Sequence, residues 1–174
     1  MSVIFVCGVH GVGKTTFCQR LAKSLNIPHF SASTLIREKA SYAVSEKSGD
    51  KQVKDIDANQ VILLAAVRER IAEMGRIILD GHVTLIDKAG SYQKLPIALF
   101  RDLGVSTIIL LEIPAPEIAR RLTERDGMAP SLDFIAEHQK VEKEHAQELA
   151  DKIKVRLYIS NGENEQLQNI LEKL

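Results

Sequence analysis

Eight consecutive residues near the start of the chain, Gly8-Val9-His10-Gly11-Val12-Gly13-Lys14-Thr15, have the spacing G-x-x-x-x-G-K-[ST]. The chemistry such a run can do is polyphosphate binding. Gly8, Gly11 and Gly13 admit backbone shapes that side chains resist, so successive N–H groups can turn inward on phosphate oxygens. A helix opening at Lys14 adds the positive end of its dipole. Lys14 brings a point charge for the β- and γ-phosphates, and the Thr15 hydroxyl can ligate Mg²⁺, with Thr16 beside it. Residues 8–16 are thus the expected donor site, with His10 at a variable position and read as solvent-facing.

A carboxylate supports this loop. Ile77-Ile78-Leu79-Asp80 is an apolar run ending in an acid. In a parallel sheet Asp80 would emerge at the carboxyl edge beside the loop, where it can hold Mg²⁺ directly or through water. The competing reading is a cap for the next segment. Arg121 and Arg125, four residues apart, share a helix face and can close on phosphates, or can pair with Glu117 and Glu124 as a solvated face together with Arg120.

These groups need elements to position them. Val3 to Cys7 is an apolar, β-branched run that reads as a buried strand, and Lys14 to Leu25 as the helix after it, with Asn26 as a left-handed cap. Pro28 to Ser31 suggests a short strand, Thr34 to Ala40 a helix capped by Ser33, and Val44 to Lys54 a polar loop. A helix over about Asp57 to Met74 ends at Gly75. Val83 to Leu95 reads as a hairpin around Asp87-Lys88-Ala89-Gly90. Thr107 to Ile113, a helix from Pro116 to Arg125, another from Ser131 to about Lys152, a strand Val155 to Ser160 and a helix Glu165 to Leu174 complete the chain. On the helix after Ser131, Phe134, His138, Val141, His145 and Leu149 form one stripe, and its two histidines, two turns apart, are read as packing residues. The alternation predicts an α/β fold: a five-stranded parallel sheet between two helical layers, with a short lid and a β-hairpin insertion.

The whole chain bounds the rest. It has 174 residues, 45% of them apolar, which fits one soluble domain. Lys and Arg total 23 and so do Asp and Glu. That balance argues against a general nucleic-acid binder. No run is long enough for a membrane span, and no leader is read at the N-terminus. Cys7 and Cys18, the only cysteines, are expected to be buried and inert, in a reducing cytoplasm. The zero charge is uneven: residues 1–40 carry five basic side chains against Glu38 alone, a net +4 at the end that holds the loop.

Taken together, these motifs resemble the P-loop nucleoside monophosphate kinases, the adenylate kinase-like group. Phe30-Ser31-Ala32-Ser33-Thr34-Leu35-Ile36-Arg37 is similar to the segment that opens the group's acceptor site, and the resemblance implies that Ser31 and Arg37 bind the acceptor, Arg37 by its phosphate. Pro114-Ala115-Pro116-Glu117 leading to Arg121 and Arg125 looks like the run at the base of the lid. The resemblance implies that these arginines contact donor nucleotide and transferring group. Ser160-Asn161-Gly162 is similar to the adenine-facing turn, which implies that Asn161 and Gly162 read the donor base through backbone. Where the group has Asp-Gly-Phe-Pro-Arg, this chain has Asp80-Gly81-His82-Val83-Thr84, so Thr84 replaces a phosphate-contacting arginine. Asp80-Gly81-His82 resembles instead the ribosome-assembly adenylate kinase/ATPase proteins, in which the histidine is linked to catalysis; the other reading of His82 is a turn residue bonded to backbone.

The expectation is a single domain that binds ATP and Mg²⁺ and moves the γ-phosphoryl group to a small acceptor, a nucleoside monophosphate first. About 34–56 would bind the acceptor, 83–95 would be the hairpin, and about 121–131 the lid. Lys14, Asp80, His82, Arg121 and Arg125 are the catalytic candidates, and Thr15 and Asp80 the metal ligands. Two rivals stand: an ATP-hydrolysing switch acting on an RNA or protein partner through the hairpin, and a kinase of another small metabolite.

Overall fold

The computed structural model describes residues 2–46, 56–87 and 89–174. In chain order the elements are β1 (Ser2–Cys7), α1 (Lys14–Leu25), β2 (His29–Ser31), α2 (Ala32–Glu46), α3 (Ile56–Met74), β3 (Arg76–Asp80), β4 (Thr84–Ile86) and β5 (Tyr92–Lys94). There follow α4 (Ile97–Asp102), β6 (Val105–Leu111), α5 (Ala115–Asp126), α6 (Leu132–Ile153), β7 (Arg156–Ser160) and α7 (Asn164–Leu171). Five strands form one parallel sheet in the order β2-β3-β1-β6-β7. β4 and β5 form a separate antiparallel hairpin, turning at Gly90 with φ +82°.

β1 explains the two-sided core. Its alternate side chains go to opposite faces. Val3, Phe5 and Cys7 pack with Leu63, Val67, Phe100 and Leu149 under α3, α4 and α6. Ile4 and Val6 pack with Phe17, Leu21, Ile118 and Ile170 under α1, α5 and α7. Because both faces are covered, the strand is apolar throughout rather than alternating. Leu149 is fully buried in the first cluster. Leu149→Ala is expected to cost about 2–5 kcal/mol of unfolding free energy, the range for truncating a buried leucine. Urea denaturation followed by circular dichroism measures it; a midpoint equal to wild type would contradict the packing.

The boundaries differ from expectation in three places. α2 starts at Ala32, so Ser33 lies inside the helix and its hydroxyl meets the Ser31 hydroxyl instead of capping. α2 also runs on to Glu46, through residues expected to be loop; the remainder of that expected loop, 47–54, lies outside the described residues. And α4 was not expected at all: six residues between Pro96 and Leu103 fold as a helix because Leu99, Phe100 and Leu103 are all buried on one side. Phe100 sets its edge against Phe5, with centroids 5.1 Å apart. The caps were legible. Asn26 is left-handed at φ +52°, Gly127 follows α5 at φ +81°, and Ser131 accepts the Phe134 N–H at the start of α6.

Candidate functional site

The parallel register fixes the site. β1 ends at Cys7, β3 ends at Asp80 and Val6 pairs with Asp80, so the phosphate loop and the carboxylate leave the same sheet edge side by side. The loop turns tightly: a Cβ on Gly8, at φ +139°, would lie 2.7 Å from the Leu111 carbonyl oxygen. At Gly13, φ +103°, a Cβ would meet Arg121 Nη1 at 3.1 Å, because Arg121 reaches across from α5 and donates to the Val12 carbonyl at 3.0 Å.

Two cavities meet here. The larger, about 550 Å³, is lined by residues 10–16, Arg20, Arg121, Arg125, Asn161 and Gly162. The smaller, about 300 Å³, is mainly apolar, with Phe5, Ile36, Leu63, Leu99 and Phe100 in its wall and Asn59 and Gln60 as polar groups. His10, Ser31, Ser33, Asp80 and His82 line both.

Most of the expected residues therefore converge. Lys14, Thr15, Thr16, His10, Gly11, Val12 and Gly13 line the larger cavity, as do Arg121, Arg125, Asn161 and Gly162. The arginine helix pairs its charges on the surface and reaches the loop at one point. Arg120 pairs with Glu117 and Glu124 on the surface, and Arg125 with Asp126, whereas Arg121 divides between Glu117 and the loop.

Gly8, Val9 and Arg37 face away from both cavities. The Gly8 N–H does not face the phosphate cavity; it donates to the buried carboxylate of Glu142 at 3.2 Å, and Val9 packs into the core, its carbonyl accepting from Lys14. Arg37 lines neither cavity. It lies on the exposed side of α2 and its guanidinium turns back to Thr34 on its own helix. His10 is exposed, as expected, and its ring also lies against His82 with centroids 4.3 Å apart.

Lys14 and His82 form the centre of the site. The ammonium donates to the Gly8 carbonyl at 2.6 Å, to the Val9 carbonyl at 3.1 Å and to His82 Nε2 at 3.2 Å. An ammonium can only donate, so Nε2 accepts and the ring proton sits on Nδ1. Burial, then the charge of Lys14, then His10 push the His82 pKa down to about 2. His82 is thus neutral at working pH and acts as an acceptor, not as an acid. Burial likewise lowers His138 to about 4. Both groups bind a proton more readily unfolded, near 6.5, than folded. Stability is therefore complete above pH 6.5 and falls as the pH drops below it, by roughly 1.4 kcal/mol per pH unit for each group until its folded pKa. The thermal midpoint should drop steeply between pH 6.5 and 4.5, and His138→Asn should reduce that slope; an unchanged slope would contradict the burial argument.

Asp80 is 5% exposed and holds His29 Nε2 through Oδ2 at 2.5 Å. Its hard carboxylate oxygens, with the exposed Thr15 hydroxyl across the same cavity, suit Mg²⁺. Cys18 lies near the His29–Asp80 pair, but burial and the Asp80 charge raise its thiol pKa and hold it protonated. Cys7 is raised likewise, first by burial, so both cysteines are inert packing groups.

Three residues were missed. Arg20 lines the phosphate cavity, where it binds the Gly162 carbonyl and Asn164 Oδ1, tying α1 to the β7–α7 turn. His29 orients Asp80. Glu142 is wholly buried on α6, one turn from His138 and on the same stripe. The helical spacing that singled out His138 and His145 could have shown that Glu142 faces inward. Thr84, expected at an arginine's place, is also buried and binds Glu142 instead of facing a cavity.

Among known proteins, residues 7–139 match the family described as an AAA domain. An adenylate kinase of Methanothermobacter thermautotrophicus is 28% identical over 181 aligned positions, covering 100% of this chain and 97% of the relative. An adenylate kinase of Thermoplasma volcanium is 29% identical over 142, covering 79% and 78%. A shikimate kinase from Acinetobacter baumannii, solved with shikimate, superposes with a TM-score of 0.60 at 17% identity, over 99% of this chain and 92% of that one, which is likeness of fold.

Proposed function

Because the chain belongs to the AAA-domain family and is an adenylate kinase-like P-loop kinase, an ATP-dependent phosphotransferase, we propose that it transfers the γ-phosphoryl group of ATP to a nucleoside monophosphate. The observation that carries this is the pair of adjoining cavities, one polar and basic, one apolar, that share Asp80 and His82 at their join. The basic cavity suits a triphosphate, and the apolar one, at about 300 Å³, has room for a base and sugar.

The chain's own residues supply positioning and charge. The N–H groups of 11–16 and Lys14 hold the β- and γ-phosphates, and Arg121 and Arg125 neutralise the charge that builds on the transferring group. Thr15 and Asp80 would hold Mg²⁺, which neutralises phosphate charge. An acceptor phosphate oxygen attacks the γ-phosphorus as the bond to the bridging oxygen breaks, and ADP leaves. The acceptor oxygen is already ionised at neutral pH, so no base is required.

A second reading has its own support. Among the described residues no arginine or lysine lines the apolar cavity. A hydroxyl-bearing metabolite would then be the acceptor, with Asp80 taking its proton at the join. Coupled ADP release with a panel of nucleoside monophosphates and neutral nucleosides tests both. The leading reading requires one monophosphate to accelerate ADP release at least about 100-fold over acceptor-free hydrolysis, within the range that positioning an acceptor supplies. Acceleration by nucleosides alone favours the second reading, and acceptor-independent release favours an ATP-driven switch.

A further inference from the structure

Glu142 touches neither cavity, yet it is 0% exposed and lies directly behind both. Oε1 accepts the Gly8 N–H at 3.2 Å and the Val83 N–H at 3.0 Å. Oε2 accepts the Thr84 N–H at 2.9 Å and the Thr84 hydroxyl. A carboxylate has about four lone-pair sites, and all four are used. The donors come from two segments far apart in sequence: the first residue of the phosphate loop, and the connection that follows Asp80-Gly81-His82. Among the described residues, the titratable groups that face this carboxylate are Lys14 and Cys7, and His138 through Thr84 Oγ1 at 3.3 Å. Burial raises the Glu142 pKa, while Thr84, Val83 and Lys14 oppose the rise.

An apolar side chain would fill this space without desolvating a charge. It could not accept N–H groups from both segments at once. Unsatisfied, those N–H groups would be buried in an apolar layer, a cost that the fold would relieve by moving one segment away from the other. The contact between Lys14 Nζ and His82 Nε2 crosses this same junction at 3.2 Å.

We propose that Glu142 is a positioning residue that clamps the phosphate loop to the Asp80–Thr84 connection, so that Lys14 on the donor side and Asp80 and His82 at the join of the two cavities stand at one fixed spacing. It acts through backbone, not on substrate. A displacement of about 1 Å between reacting groups costs on the order of 100-fold in rate, so the clamp acts on kcat rather than on ATP affinity, which the loop N–H groups and Lys14 supply themselves.

The rate readout rests on the phosphotransferase reading; amide exchange does not. In Glu142→Gln the side-chain shape stays, but in either orientation its NH₂ must face a backbone N–H, donor against donor, and only the Thr84 hydroxyl can turn to accept. Expected are a loss of hydrogen-exchange protection of at least tenfold at Gly8, Val83 and Thr84, with β1 and β6 still protected. A kcat lower by about 100-fold at an ATP KM within threefold of wild type should accompany it. Thr84→Val removes one donor of the four and should lower kcat by about 3- to 10-fold, also at constant KM. Unchanged kcat in either folded variant, even with a lower thermal midpoint, overturns the proposal, because the carboxylate then only stabilises the fold. If Glu142→Gln does not fold, Thr84→Val decides by the same criterion. If the wild type transfers no phosphoryl group, the function proposed above fails, while intact protection at the three amides would still overturn the clamp and its loss would support it.

Discussion

Lys14→Ala should lower kcat/KM for ATP by about 10³-fold, roughly 4 kcal/mol of transition-state stabilisation. The size follows from the surroundings. The ammonium is held by the Gly8 and Val9 carbonyls and His82, and burial lowers its pKa, so it sits in a partly dried site where one charge acts more strongly than in water. Alanine also leaves the neutral His82 without its donor. Lys14→Arg should recover little, because a planar guanidinium cannot make the same three contacts in a loop closed by Gly13 and Arg121. Steady-state kinetics with coupled ADP detection measures the loss. The thermal midpoint should change little, since Lys14 lies at the cavity wall rather than in the core. A loss under tenfold would sink the assignment.

Asp80→Asn should lower kcat by about 10²- to 10³-fold while the ATP KM moves only a few-fold. Asparagine keeps the volume and can still bond His29, so the change removes charge at the join of the two cavities and little else. The same variant should need more Mg²⁺ for half-maximal rate, since one of two hard oxygen donors has lost its charge. His29→Ala, which removes the partner but keeps the carboxylate in place, should cost less than Asp80→Asn. A Mg²⁺ requirement and kcat both equal to wild type in Asp80→Asn would remove Asp80 from the site.

How much of this could be read beforehand depends on the range over which each signal acts. The loop from Gly8 to Thr15 was legible because its conformation is set locally, by glycines and the helix that starts at Lys14. Asp80 was legible because parallel pairing of apolar strands sends their C-terminal ends to one edge. The caps at Asn26, Gly127 and Ser131 are local in the same way. Glu142 was legible only as an inward-facing position, one turn from His138. Its role was not, since an acid flanked by Lys140, Lys143 and Glu144 reads as solvated, and only the tertiary approach of Gly8 and Thr84 gives it four donors. Arg37 shows the complementary limit: a motif match fixes its place in the chain but not the direction of a long side chain, which here finds Thr34. Helix α4 was hidden because six residues carry too little periodicity to distinguish a helix from a loop.

The strand order has a consequence for the chain while it is being made. β1 is made before the other strands of its sheet and is the middle one, and its neighbours begin only at Arg76 and Val105. At about 5–20 residues per second, synthesis leaves roughly 5–20 s between the strand and its second partner. For that interval the segment Val3 to Cys7, fully buried once the sheet is complete, is an apolar stretch with an open edge. The residues that later place the phosphate loop thus wait exposed during synthesis, and slowing translation before residue 105 should cost more soluble protein than slowing it afterwards.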